Sequence, residues 1–89
     1  MTTCARDLVV GNERGIHGRV ATRLAEVASE FAVVLQIRRA EETVECSSIL
    51  DVLSLALVQG SEISVQAAGE QAEAALAAAA ELITAQEDP

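Results

Sequence analysis

Apolar and polar residues follow one another along this chain in two rhythms, a period of two and a period near 3.6, and their order predicts the elements. Leu8 and Val10 alternate with Asp7 and Val9, which reads as a first strand. Gly11-Asn12-Glu13-Arg14-Gly15 follows, a loop rich in residues that tolerate tight turns. From about Gly18 to Glu30 the apolar positions Val20, Leu24, Val27 and Ala28, with Phe31 just beyond, fall on one helical face. Val33, Leu35 and Ile37 alternate with Val34 and Gln36 as a second strand. Arg38 to Glu42 reads as a polar turn and Thr43 to Cys46 as a short returning strand.

Ser47-Ser48 can cap a helix through Ile49–Leu55, with Asp51 three residues after Ser48 in a shortened capping-box pattern. Gln59-Gly60 ends that segment, and Ile63, Val65 and Ala67 alternate with Ser64 and Gln66 as a last strand closed by Gly69. Ala72, Ala75, Leu76, Ala79, Leu82 and Ile83 then recur at helical spacing between about Glu70 and Thr84. A frayed tail is expected over 85–89. The order βαββαβα predicts an α+β fold, an antiparallel sheet with helices packed on one face. The small residues of the last helix would let it lie close to that sheet.

Composition narrows the class. The 89 residues suit one domain over 1–89, and Phe31 is the only aromatic, so the core must be built from Val, Leu, Ile and Ala. No run of about 18 apolar residues exists, so no membrane insertion is expected. Asp7 and the turn residues after it interrupt the place where a signal peptide needs an apolar run, which predicts a cytoplasmic protein. Cys4 and Cys46 are too few and too far apart for a disulfide framework or a metal set, and read as reduced residues near the core. With one histidine and no CxxC pair, no metal or other cofactor is expected.

The net charge of −8 argues against a nucleic-acid partner. The position of the charge says more. All six basic residues are arginines, Arg6, Arg14, Arg19, Arg23, Arg38 and Arg39, and everything after them is acidic or neutral. Three of them flank the only histidine, His17, at the junction of the flexible loop with the first helix. A helix N-terminus presents unpaired N–H groups and the positive end of the dipole, which attract anions. Gly18 allows close approach to the backbone, and Arg19 offers a fork of donors matched to phosphate oxygens. Arg23, one turn on, shares a face with Arg19, although a solvated helix face is the better reading of it. Imidazole is a nucleophile near neutral pH whose phosphoryl adduct leaves readily, so His17 in this setting suits a phosphoryl carrier.

Gly15-Ile16-His17-Gly18-Arg19-Val20-Ala21 resembles the Gly-(Leu/Ile)-His-(Ala/Thr)-Arg-Pro-Ala signature of HPr, the histidine-containing phosphocarrier family of the bacterial phosphoenolpyruvate-dependent sugar phosphotransferase system. Asn12, the Ser47-Ser48-Ile49-Leu50…Leu53-Ser54-Leu55 segment, Gln59-Gly60 and Ala68-Gly69-Glu70 extend the similarity over nearly the whole chain. The resemblance implies an open-faced β-sandwich, a four-stranded sheet with three helices on one face. It also implies that His17 is phosphorylated at Nδ1, with Arg19 and the backbone of Gly18 and Arg19 holding the phosphate. It further implies a monomer that receives the group from enzyme I and passes it to enzyme IIA domains. Those partners would dock on an apolar patch of Ile16, Val20, Ile49 and Leu50 with Arg23 beside it. Ser48 matches the serine that an HPr kinase modifies in many relatives, while the bland reading of Ser48 is a helix cap. Val20 in place of proline and Gly18 in place of Ala or Thr are expected to loosen the helix start, and Ser47 replaces a usual lysine.

Four other functions compete. A nitrogen-regulatory phosphocarrier uses a similar chain. A binding module governed by Ser48 would leave His17 silent, and a ferredoxin-like small-molecule binder gives no reason for histidine and arginine to meet at a helix start. A hydrolase is weakest, because His17 has no apparent base, metal or nucleophile beside it.

Overall fold

The structure, a computed structural model, describes residues 2–86. Its elements run β1 (Thr3–Val9), α1 (Gly18–Glu30), β2 (Val34–Arg39), β3 (Glu42–Glu45), α2 (Ile49–Ser54), β4 (Glu62–Ala68) and α3 (Ala72–Thr84). The four strands form one sheet in the order β1-β4-β2-β3, and every neighbouring pair is antiparallel. This is the βαββαβα open-faced sandwich that the two rhythms predict.

Register decides which side chains reach the core. Leu35 sits opposite Ala67 and Ile37 opposite Val65, and all four are buried beneath the helices. The intervening Gln36, Arg38, Ser64 and Gln66 share the other face, which is left to solvent and also carries exposed Val9 and Val34. On the helix side, α1 buries Val20, Ala21, Leu24, Val27 and Ala28, the stripe its spacing predicts. α3 buries Ala72, Ala75, Leu76, Ala79, Ala80 and Ile83. Leu82, expected with them, is only half-buried.

Several boundaries differ from the sequence reading. β1 starts at Thr3 rather than near Asp7, because the register puts Arg6 on the same face as Cys4 and Leu8 at the sheet edge, where the alternation is broken. β2 and β3 extend into the expected turn until Arg39 pairs with Glu42, leaving a tight hairpin in which Ala40 takes a left-handed φ of 55°. Within the expected tail, the Ala85 N–H donates to the Glu81 carbonyl (3.2 Å) and the Gln86 carbonyl accepts from Glu13 N–H (3.2 Å). The rest of the expected tail, 87–89, lies outside the described residues.

Candidate functional site

The loop between β1 and α1 is pinned from two sides before it reaches His17. On one side it is tied to the end of α3. Gly11 N–H donates to the Ile83 carbonyl (2.9 Å), and the Asn12 side-chain amide donates to the carbonyls of Leu82 (3.0 Å) and Ile83 (3.1 Å). No basic residue occupies the last turn of α3, so fully buried Asn12 supplies donors that a lysine or arginine often provides there. Backbones approach so closely that a Cβ on Gly11 would stand 2.1 Å from the Thr84 carbonyl oxygen.

On the other side the loop is stitched to the segment following α2. Ile16 N–H donates to the Leu57 carbonyl (3.0 Å). Gly15 takes φ +70°, and a Cβ there would lie 2.1 Å from that same Leu57 oxygen. Only glycine meets both demands. The histidine that follows is therefore presented by a braced backbone.

His17 is the N-cap of α1, in extended conformation (φ −92°, ψ −176°) and half-buried. Its Nδ1 accepts a hydrogen bond from the Arg19 backbone N–H at 3.3 Å. The Nδ1 lone pair thus points at the positive end of a 13-residue helix with no acidic residue in its first turn. His17 fills the capping role usually taken by Ser, Thr, Asp or Asn. Gly18 is exposed, with open space where a Cβ would be. α1 begins at Gly18 with its cap in place.

Arginine roles separate clearly. Arg23 pairs with Glu26 at 3.4 Å. Arg19 is exposed two residues past the imidazole cap, and among the described residues its guanidinium has no carboxylate within ion-pair distance. A phosphoryl group on Nδ1 would meet first-turn amides and a cation without an ion-pair partner.

The expected apolar patch needs correction. Ile16 is 5 % exposed and Val20 is fully buried, because the pinned loop and the inner face of α1 turn both into the core. Ile49 is half-buried against that core, and Leu50 alone of the four stands out, at 78 % exposed. Sequence reasoning missed Val58, which is 63 % exposed in the segment that braces Gly15. Its signal was an apolar residue directly before the Gln59-Gly60 turn. Ser48 does sit at the N-cap of α2, but its hydroxyl makes no cap hydrogen bond; its carbonyl accepts from Val52 N–H instead (3.1 Å). The two thiols are free, as expected, Cys4 half-buried and Cys46 buried. Burial pushes the Cys46 thiol up to about 12, so it stays protonated and inert.

Comparison with known proteins agrees with this geometry. The model of the family described as "PTS HPr component phosphorylation site" matches residues 4–85. A phosphocarrier protein NPr of Shewanella violacea is 36 % identical over 88 residues, covering 99 % of this chain and 97 % of that protein. A phosphocarrier protein HPr of Lysinibacillus sphaericus is 40 % identical over 70 residues, covering 79 % of this chain and 80 % of that one. The crystal structure of HPr from Bacillus anthracis superposes with a TM-score of 0.85 at 29 % identity, covering 93 % of this chain and 99 % of that one. With a helix-capping histidine followed by an arginine on this sandwich, and a family match over nearly the whole chain, the protein belongs to the HPr family of phosphocarriers of the phosphotransferase system.

Proposed function

We propose that this chain accepts a phosphoryl group from phospho-enzyme I on Nδ1 of His17 and passes it to an enzyme IIA-type acceptor. One observation carries the reading: Nδ1 is held 3.3 Å from the Arg19 N–H at the start of α1. That hydrogen bond assigns the lone pair to Nδ1 and the ring proton of the neutral imidazole to Nε2. In the transfer the Nδ1 lone pair attacks phosphorus in line. A new N–P bond forms as the bond from phosphorus to the donor imidazole breaks, and the departing imidazole keeps the electron pair. Once Nδ1 is phosphorylated, the Arg19 N–H is free to donate to a phosphoryl oxygen, and the guanidinium of Arg19 neutralises charge. Onward transfer is the same step with the roles exchanged.

Leu50 and Val58 supply the exposed apolar surface for the partner, and Ile49 backs it. Docking is transient and the chain acts as a monomer. The similarity to NPr favours a second reading, a carrier for the nitrogen-regulatory branch. Parallel transfer assays with sugar-type and nitrogen-type IIA domains distinguish the two. Ser48 is a regulatory site in this proposal, since a phosphate at the start of α2 would place charge beside Leu50. Incubation with an HPr kinase tests it.

The central test is incubation with phosphoenolpyruvate and enzyme I, followed by intact-mass spectrometry. An acid-labile phosphoryl adduct is expected on the native chain and absent from His17→Ala. An adduct that survives in His17→Ala would place the chemistry elsewhere.

A further inference from the structure

α1 touches α2 along one flank and α3 along the other. The flank toward α2 leads to Leu50, and the proposed transfer surface lies there. Between α1 and α3 runs a separate groove of about 450 Å³. Its floor is Val27 and Phe31 from one helix and Ala78 and Leu82 from the other, and Phe31, Ala78 and Leu82 are each only partly buried. The spacing is what a designed face would show: 27 and 31 on one side, 78 and 82 on the other, each pair one turn apart. The only aromatic ring of the chain is thus left half-covered in a cleft.

Charge at the rim names the kind of occupant. Glu30 and Glu81 line the groove, both are exposed, and neither has a basic side chain within ion-pair distance among the described residues. Arg23, at the end nearest His17, is already neutralised by Glu26. A neighbouring hollow that shares Phe31 adds Glu70. The rim is therefore net acidic over an apolar floor. It repels nucleic acid and anionic lipid surfaces. It also disfavours a second copy of a chain carrying −8. From Arg23 to Phe31 the groove extends roughly 12 Å at 1.5 Å per residue, about two helical turns.

We propose that the α1/α3 groove is a docking site for a basic amphipathic helix of a partner protein, with its apolar residues on Phe31 and Leu82 and its cations against Glu30 and Glu81. Leu50 and Val58 do not line the groove, so the apolar surface proposed for phosphoryl transfer stays uncovered when it is filled. Leu82 also gives its carbonyl to Asn12, so the occupant rests on the same turn of α3 that anchors the His17 loop. This proposal does not depend on His17 being phosphorylated.

The test uses the full chain and a synthetic helical peptide of about 15 residues, the length at which an isolated helix becomes populated. Its leucines are spaced i, i+4, i+7 and lysines flank them; a control peptide carries glutamates in place of the lysines. Two-dimensional amide NMR should show saturable shifts centred on Val27, Phe31, Ala78 and Leu82 with the lysine peptide. Affinity should fall at least tenfold in Glu30→Lys/Glu81→Lys, two exposed positions that leave the core intact, and remain unchanged in His17→Ala. Equal binding of the glutamate peptide, indifference to the double reversal, absence of saturable shifts, or shifts centred on Leu50 and Val58 would overturn the proposal. Dilution-dependent shifts of the groove without peptide would assign it to a second copy, and overturn it too.

Discussion

Single residues carry demands here that their types alone do not reveal. Asn12 is the clearest. Its amide closes the end of α3 and so fixes the loop that presents His17, while its Oδ1 is buried with no hydrogen-bond partner among the described residues. Asn12→Ala should cost about 1–3 kcal/mol in urea unfolding, the range for stranding buried acceptors. It should also slow phosphorylation of His17 more than the stability loss explains, which stopped-flow transfer from enzyme I would read. Gly15→Ala forces a Cβ into the Leu57 carbonyl and strains a positive φ, and should destabilise by more than about 2 kcal/mol. By contrast Gly18→Ala has open space, and thermal melts should show a neutral or slightly stabilised protein. Cys46 is the residue with a pH signature. Its thiol holds its proton to about 12 in the fold, against 9.0 ordinarily, so unfolding releases a proton between those values. The contribution is intact below pH 9 and is lost as pH rises toward 12, at no more than about 1.4 kcal/mol per pH unit. Alkaline denaturation of Cys46→Ala should lack that slope, and in the native protein a thiol reagent at pH 8 should label Cys4 well before Cys46.

At the scale of elements, the helices are stopped and turned without the residues that usually do it. Ala32, Ala40 and Ala56 all occupy left-handed φ, between 51° and 55°, where glycine or asparagine is the common choice. Ala56 lies between the end of α2 and Leu57, whose carbonyl braces the site loop. Ala56→Gly should raise stability by about 0.5–1 kcal/mol, the relief of the Cβ less the entropy glycine regains when unfolded. A fall in the unfolding midpoint would mean that Ala56 is held there by contacts rather than tolerated. These turns also show what periodicity leaves unread: nothing in an alanine announces a positive φ, so the hairpin after Arg39 and the end of α2 at Ser54 were misplaced by one or two residues. The β1 boundary was illegible for a different reason, because at a sheet edge Arg6 can share the core-side face and still reach water.

Across the whole molecule, net charge sets a weak but readable term. The extents are 33 × 27 × 21 Å, so at low ionic strength, where the screening length is about 30 Å, most of the charges repel one another. With −8 overall, raising ionic strength to about 0.15 M shortens that length to about 8 Å and should raise the melting temperature. A flat or falling melting temperature would show that local pairs such as Arg39–Glu42 outweigh the global field.

What the sequence determined by itself was the order of elements, the faces of α1 and β4, and the meeting of histidine with arginine at a helix start. Periodicity and loop residues are local quantities, and a local pattern can be read without knowing its neighbours. Only the tertiary structure decided the rest. It turned Ile16 and Val20 inward, left Leu50 and Val58 outside, and pinned the His17 loop between the end of α3 and Leu57. It also opened the groove between α1 and α3. Those outcomes depend on which surfaces are brought together across 40 to 70 positions of chain, and burial belongs to the pair of surfaces rather than to either residue.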